Sequence, residues 1–239
     1  MSKKALILFG DLRTGLNCCS SLKRFLYDVD NLDIYIGLWN SSNEIIFGSS
    51  WDKRNIYHTN YEQYRKYIDK IRLSFPLAGI KESLFDREDL ASFCGSKFLD
   101  LYSPSHISQK YMFASIRNGI SLMRPDIIYQ DLLITRPDVY FRGQYKERIA
   151  DIDTGVRIDE KGMKNAYDII MQCKPDVARK IYDPYYQNQI DPQSSTPFLD
   201  NLDRLGISAN YFKYKWGRDF WIRRPGLQGF INHHLSKIK

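Results

Sequence analysis

The sequence predicts an α/β fold, a mostly parallel sheet flanked by helices, built as a single domain over residues 1–239. Three observations predict it. Residues 4–9 (KALILF) and 32–38 (LDIYIGL) are short apolar runs, each followed by polar or turn-forming residues. Between them, residues 15–28 place Leu16, Cys19, Leu22, Lys23 and Leu26 at helical spacing, so strand, helix and strand follow within about 40 residues, the signature of a βαβ unit. A third apolar run, residues 131–136, ends in Arg136-Pro137-Asp138. The three runs are expected to be neighbouring, mostly parallel strands of one sheet.

The remaining elements follow in order. Residues 41–58, rich in Ser and Asn, read as a loop, and Tyr61 to Phe75 reads as a helix with Tyr64, Tyr67, Ile68 and Ile71 on one face and Pro76 ending it. Residues 81–86 suit a short strand. Ser105 to Met123 carries the longest helical pattern. Pro137 breaks the ladder inside YQDLLITRPDVYF, which makes that segment a strand, a bend and a continuation from Val139 to Phe141. Further helices are expected over Glu160 to Cys173, Asp176 to Tyr182, and Pro197 to Leu205 with Gly206 closing the last. Tyr211 to Tyr214 and Phe220 to Ile222 suit short strands, and the polar, proline-bearing stretch 183–197 suits a loop.

Composition narrows the function. With 43% hydrophobic and 26% charged residues the chain has ordinary globular composition. No apolar run approaches the roughly 18 to 20 residues that cross a bilayer, and Ala5 to Phe9 is too short for a signal-peptide core. Four cysteines (Cys18, Cys19, Cys94 and Cys173) in no CxxC spacing read as free thiols, so the expected location is cytoplasmic, or peripheral to a membrane. The net charge of +7 suits a polyanionic partner. The basic residues form no arm and no zinc-finger or RNP pattern, so nucleic acid is not the expected partner.

In open α/β sheets ligands bind beyond the carboxyl ends of the strands. Three such ends are legible: Gly10-Asp11-Leu12-Arg13-Thr14, Trp39-Asn40, and Arg136-Pro137-Asp138. In the first, Gly10 allows close backbone approach, Arg13 offers a fork of donors to a phosphate, and Thr14 can cap the next helix. The plainer alternative is local salt bridging by Arg13. Asp138 is costly to bury without a cation or a substrate hydroxyl beside it, and is expected to face a cleft. Its plainer alternative is an ion pair with Arg136 at the bend. Neither GxGxxG nor GxxxxGK[ST] is present.

The GDLRT loop after the first strand, together with YQDLLITRPDVYF, resembles a group of glycosyltransferase-like proteins of microbes and viruses. Their pattern is a G-x-x-R-T loop, a strand ending in Trp, and a Y-D-x-x-I-R-x-R-x-D-x-x-F segment. The matching positions are Gly10, Arg13 and Thr14, then Trp39, then Asp131, Ile134, Arg136, Asp138 and Phe141. The resemblance spans residues 5 to 170 and implies a GT-A/Rossmann-like fold. It implies a nucleotide-sugar donor, held by Gly10, Arg13, Thr14, Trp39 and Asn40, and a glycan, lipid-linked or protein acceptor. It also implies a divalent cation, Mn2+ or Mg2+, on Asp138, with Asp138 and Arg136 at the catalytic centre. One departure matters: Arg136-Pro137-Asp138 stands where the familiar motif is Asp-x-Asp. A non-catalytic nucleotide- or sugar-binding module is therefore the alternative reading. Asp151, Asp153 and Asp219 are equal candidates for a catalytic base. His233 and His234 are candidates for a late metal ligand, while His58 and His106 read as surface or capping residues.

Overall fold

The computed structural model describes residues 3–27, 29, 31–39, 46–47, 56–57, 61–85, 104–143, 155–158, 170–186, 197–212 and 220–222. The first strand, β1 (Lys3–Asp11), is apolar without alternation because both of its faces are covered. Ala5, Ile7 and Phe9 enter one core, while Leu6 and Leu8 enter the other. Next come helix α1 (Gly15–Phe25) and strand β2 (Leu32–Trp39), buried along its whole length. Strands β3 (Ile46–Phe47) and β4 (Ile56–Tyr57) pair antiparallel in a small sheet of their own, inside a stretch that reads as loop in the sequence.

Helix α2 (Tyr61–Ser74) buries Tyr64, Tyr67, Ile68 and Ile71, the face its spacing predicts. Strand β5 (Gly79–Phe85), helix α3 (Pro104–Ser121), strand β6 (Tyr129–Thr135) and the short strand β7 (Val139–Phe141) follow. The chain continues through β8 (Val156–Ile158), β9 (Ile170–Cys173), helix α4 (Pro175–Tyr186), helix α5 (Pro197–Arg204), β10 (Ala209–Tyr211) and β11 (Phe220–Ile222). Gly206 ends α5 with φ 65°, and the amide of Ile207 donates to the carbonyl of Leu202 at 2.9 Å. This is the left-handed cap for which glycine is favoured.

The main sheet has seven strands in the order β10-β8-β9-β6-β1-β2-β5. β1 pairs parallel with β2 and β6, and β2 pairs parallel with β5. β9 runs antiparallel to both β6 and β8, while β10 is parallel to β8. The three runs read as strands from sequence are thus adjacent and parallel, as expected. The fold is α/β and Rossmann-like, a mostly parallel sheet with helices on both faces. Helices α1 and α2 pack one face, and α3, α4 and α5 the other.

One sequence expectation is corrected. A helix is predicted over Glu160 to Cys173, but Ile170–Cys173 is strand β9, with all four residues buried. Residues 160–169 lie outside those described. Periodicity cannot separate a short, fully buried apolar run from a helical turn, and here sheet pairing on both sides decides. Gln172 is tolerated there because its amide reaches the Asp131 carboxylate at 3.4 Å and accepts from Arg157 at 3.2 Å.

Two close approaches set the distance between α3 and the sheet. A Cβ on Gly37 would lie 2.5 Å from the Ser115 carbonyl oxygen and 2.7 Å from the Gly119 amide nitrogen, and one on Gly119 would lie 2.6 Å from Ile7. Backbone atoms cannot rotate aside. Gly37→Ala is therefore expected to destabilise the fold by about 1 to 3 kcal/mol, the range for overpacking a tight core, as read from urea denaturation. Burial pushes the Cys19 thiol up to about 11, against a smaller opposing pull from Lys70, and burial also raises Cys173. Both thiols should resist Ellman's reagent at neutral pH and react only once denaturant opens the core.

Candidate functional site

Since β1, β2, β5 and β6 are parallel, their carboxyl ends share one edge of the sheet. Asp11 lies in register with Trp39, and Trp39 with Phe85. The chain moves from β1 outward through β2 to β5, then returns to place β6 on the other side of β1. The change of direction between β1 and β6 is the topological switch point, where a sheet of this kind opens a crevice. The loops leaving these two strands are Leu12-Arg13-Thr14 and Arg136-Pro137-Asp138.

The two loops touch at Gly15. A side chain there would lie 2.8 Å from Leu12, 3.0 Å from Pro137 and 3.3 Å from Tyr67. Gly10, the last residue but one of β1, has φ 92° and Arg13 has φ 41°, so the end of the strand and its loop use the left-handed region twice within four residues. Glycine adopts that region freely, whereas arginine does so at a conformational cost. The amide of Gly10 donates to the Ser115 hydroxyl, which donates in turn to the Gly37 carbonyl at 2.7 Å. Gly10 therefore contributes the path of the chain, and its amide is committed to holding β1 on α3.

Asp138 is fully buried. Its two oxygens receive the Arg136 fork, with Nε to Oδ1 at 2.9 Å and Nη2 to Oδ2 at 2.8 Å. The Arg13 guanidinium lies 3.8 Å from the same Oδ2, and its Nε lies 3.5 Å from Oδ2 of Asp11. The carboxylate is thus not open to a cleft, as its strand-end position suggests, but closed by the ion pair. Burial explains this: an ionised carboxylate removed from water needs compensating charge and hydrogen bonds. Arg136 is 13% exposed and Arg13 23%, so Arg13 is the more open of the two cations.

Helix α1 fixes the far side of the bend. Phe25 stacks on Phe141 with ring centroids 4.1 Å apart. Ser21 accepts the Phe141 amide at 3.2 Å, and Arg24 donates to the Phe141 carbonyl at 3.0 Å. Strand β11 pairs antiparallel with β7, Trp221 opposite Tyr140, which brings the late part of the chain beside the bend.

The other predicted site residues are placed as follows. Thr14 stands at the N-cap position of α1, but its side chain makes no cap hydrogen bond, because its φ of −93° and ψ of 15° depart from the extended geometry that capping needs. Trp39 is buried at the end of β2, its ring 6.2 Å from that of Phe85. Asn40, Asp151, Asp153, Asp219, His58, His233 and His234 lie outside the described residues, as does most of the 183–197 stretch; residues 183–186 belong to α4. His106 lies within α3.

Two neighbours escaped the sequence reading. Asp11 is an interior position of the GDLRT segment, and only the fold shows it facing Arg13. Tyr67 reads as one of several core residues of α2, yet its fully buried hydroxyl finds no hydrogen-bond partner among the described residues. Burial pushes its ionisation well upward, with smaller contributions from Cys19, Cys18 and Asp138. No pattern in the sequence distinguishes it from Tyr64.

A divalent cation needs open carboxylate oxygens, and those of Asp138 are both engaged by Arg136. Among the described residues no three His, Cys, Asp or Glu side chains come together. The described residues therefore do not compose such a metal site.

Comparison with known proteins gives structural likeness only. An active-site mutant of LgtC aligns over 87% of this chain and 72% of its own, at 13% identity and a TM-score of 0.45. The apo form of mouse xyloside xylosyltransferase 1 aligns over 88% and 78%, at 8% identity and a TM-score of 0.39. No protein-family model and no curated protein sequence matches the chain.

Arg136→Ala is expected to strip a buried carboxylate of its main partner. The loss should be about 3 kcal/mol or more, the scale for breaking a buried pair from one side. Urea denaturation checks it, and adding Asp138→Asn to the same variant should recover part of the loss.

Proposed function

We propose that the chain is a glycosyltransferase, moving a sugar from a nucleotide-sugar donor to a glycan, lipid-linked or protein acceptor. The observation that carries this reading is the pair of guanidinium groups, Arg13 and Arg136, gathered on buried Asp138 at the switch point of the sheet. That is where a phosphate-bearing ligand enters such folds, and arginine forks suit its oxygens. The GDLRT and RPD segments support the same reading, because they occupy the two loops that meet there.

In this reading the donor diphosphate lies over the Leu12-Arg13-Thr14 turn and Arg13 holds it. Negative charge grows on the diphosphate as the bond to the sugar breaks, and a fixed guanidinium stabilises it more in the transition state than in the ground state. Arg136 is a positioning residue that holds the Asp138 carboxylate in place through both of its oxygens. Trp39 closes the β2 side of the crevice. The acceptor's base is not assigned to a described residue, and Asp151, Asp153 and Asp219 remain its candidates.

A second reading is a nucleotide- or sugar-binding module without turnover. It is favoured by one observation, the engagement of both Asp138 oxygens by Arg136. Donor hydrolysis separates the two: the module binds and releases the donor intact.

The test is a thermal-shift panel of nucleoside diphosphates and nucleotide sugars, since a ligand that binds the folded state raises its melting point. At least one should do so here. Arg13→Ala should weaken that ligand by about 1.5 to 3 kcal/mol, the scale of a charge-assisted hydrogen bond. The fold should lose little, because Arg136 still covers Asp138. Unchanged affinity beside a large loss of stability would assign Arg13 to structure alone.

A further inference from the structure

We propose that this site binds the diphosphate of its donor without a divalent cation, with the Arg13 guanidinium occupying the place a cation would take. This rests on the donor-binding reading above. Two carboxylates stand at the switch point, Asp11 at the end of β1 and Asp138 beyond β6. An ion serving both would lie between them, and Arg13 lies there already, 3.5 Å from Asp11 and 3.8 Å from Asp138.

Three features make this arrangement specific. First, Asp138 is fully buried with each oxygen held by Arg136 at 2.8 to 2.9 Å, so a metal would have to displace a guanidinium to reach it. Second, the guanidinium groups of Arg13 and Arg136 already stand against the carboxylates of Asp11 and Asp138, so the two acids are held without a further cation. Third, Arg13 holds a left-handed backbone, φ 41°, that arginine adopts only where the surroundings impose it. The turn beginning at Gly10 aims this side chain between the two carboxylates.

The exposure of the groups gives the direction of approach. Arg13 is 23% exposed, Asp11 8% and Asp138 not at all, so an anion arriving from solvent meets the guanidinium first. Its contacts to the carboxylates, at 3.5 and 3.8 Å, are ion-pair contacts rather than short hydrogen bonds. Arginine stays protonated at any working pH, so the positive charge that a bound ion would bring is built into the chain.

Calorimetry with UDP, GDP, CDP and ADP, in EDTA and again with saturating Mn2+ or Mg2+, tests this directly. At least one diphosphate is expected to bind in EDTA, with its Kd changed by no more than about twofold on adding metal, and Arg13→Ala should raise that Kd by about tenfold or more in both conditions. Binding that requires metal, or tightens about tenfold with it, overturns the inference while leaving the donor-binding reading in place. Absence of binding by every diphosphate in both conditions overturns the donor-binding reading, and the inference with it. Mn2+ electron paramagnetic resonance of the protein alone gives a second readout. Free-ion signal should persist undiminished, and stoichiometric loss of it would overturn the inference independently.

Discussion

The organisation of the switch point depends on the cost of burying one carboxylate. Asp138 has no exposure to water, and a charge so placed is tolerated only if other groups replace its hydration. The bidentate Arg136 fork does most of this, and Arg13 adds a longer contact from the neighbouring strand's loop. The requirement ties together two segments more than a hundred residues apart in sequence. It also explains why the bend at Pro137 is anchored beyond itself. Phe141 is stacked on Phe25 and bonded through its backbone to Ser21 and Arg24, so Asp138 cannot drift away from its partners.

The sheet has two edges with different chemistry. At the amino edge, buried Asp33 accepts the Tyr129 hydroxyl at 2.6 Å and the Gly79 amide at 3.1 Å, and pairs with Lys3 at 2.9 Å. Tyr35 joins by a hydrogen bond to Tyr129. One carboxylate thus links β1, β2, β5 and β6 where they begin. Gly79 is needed for it, since a Cβ there would lie 2.6 Å from an Asp33 oxygen. Burial, with the hydrogen bonds to Asp33 and Tyr35, raises Tyr129 and keeps it protonated as the donor. This network stabilises strand register. The carboxyl edge instead gathers paired cations whose more open member meets solvent.

Much of the fold was legible because β1 and β6 carry unbroken apolar runs and β2 a β-rich one, while α2 shows one apolar stripe. The strand-end loops were legible because Gly10, Arg13 and the RPD bend interrupt apolar runs. Strand β9 was not legible: Ile170 to Cys173 is too short for its period to be read, and the pairing that fixes it comes from β6 and β8. Asp138 was legible as a residue of interest but not in its environment. A sequence shows a carboxylate next to Arg136 without showing whether the bend turns them toward each other. The place of Asp11 depended on the Arg13 backbone, which no residue pattern announces.

The two arginines divide the work by geometry rather than by chemistry. Arg136 spends its fork on both oxygens of one carboxylate, two residues along the same bend, which makes a rigid local unit. Arg13 reaches across from another strand, at longer range and with more of its surface open. A lysine at position 136 would give a point charge where a planar fork is needed, and one oxygen of Asp138 would lose its partner. At position 13 the demand differs, because the group must neutralise two carboxylates at a distance and still present donors outward. The strained turn at Arg13 fits that demand. The left-handed backbone goes with a guanidinium 3.5 Å from Asp11 and 3.8 Å from Asp138 that is more open than either carboxylate, so an incoming anion meets its donors first.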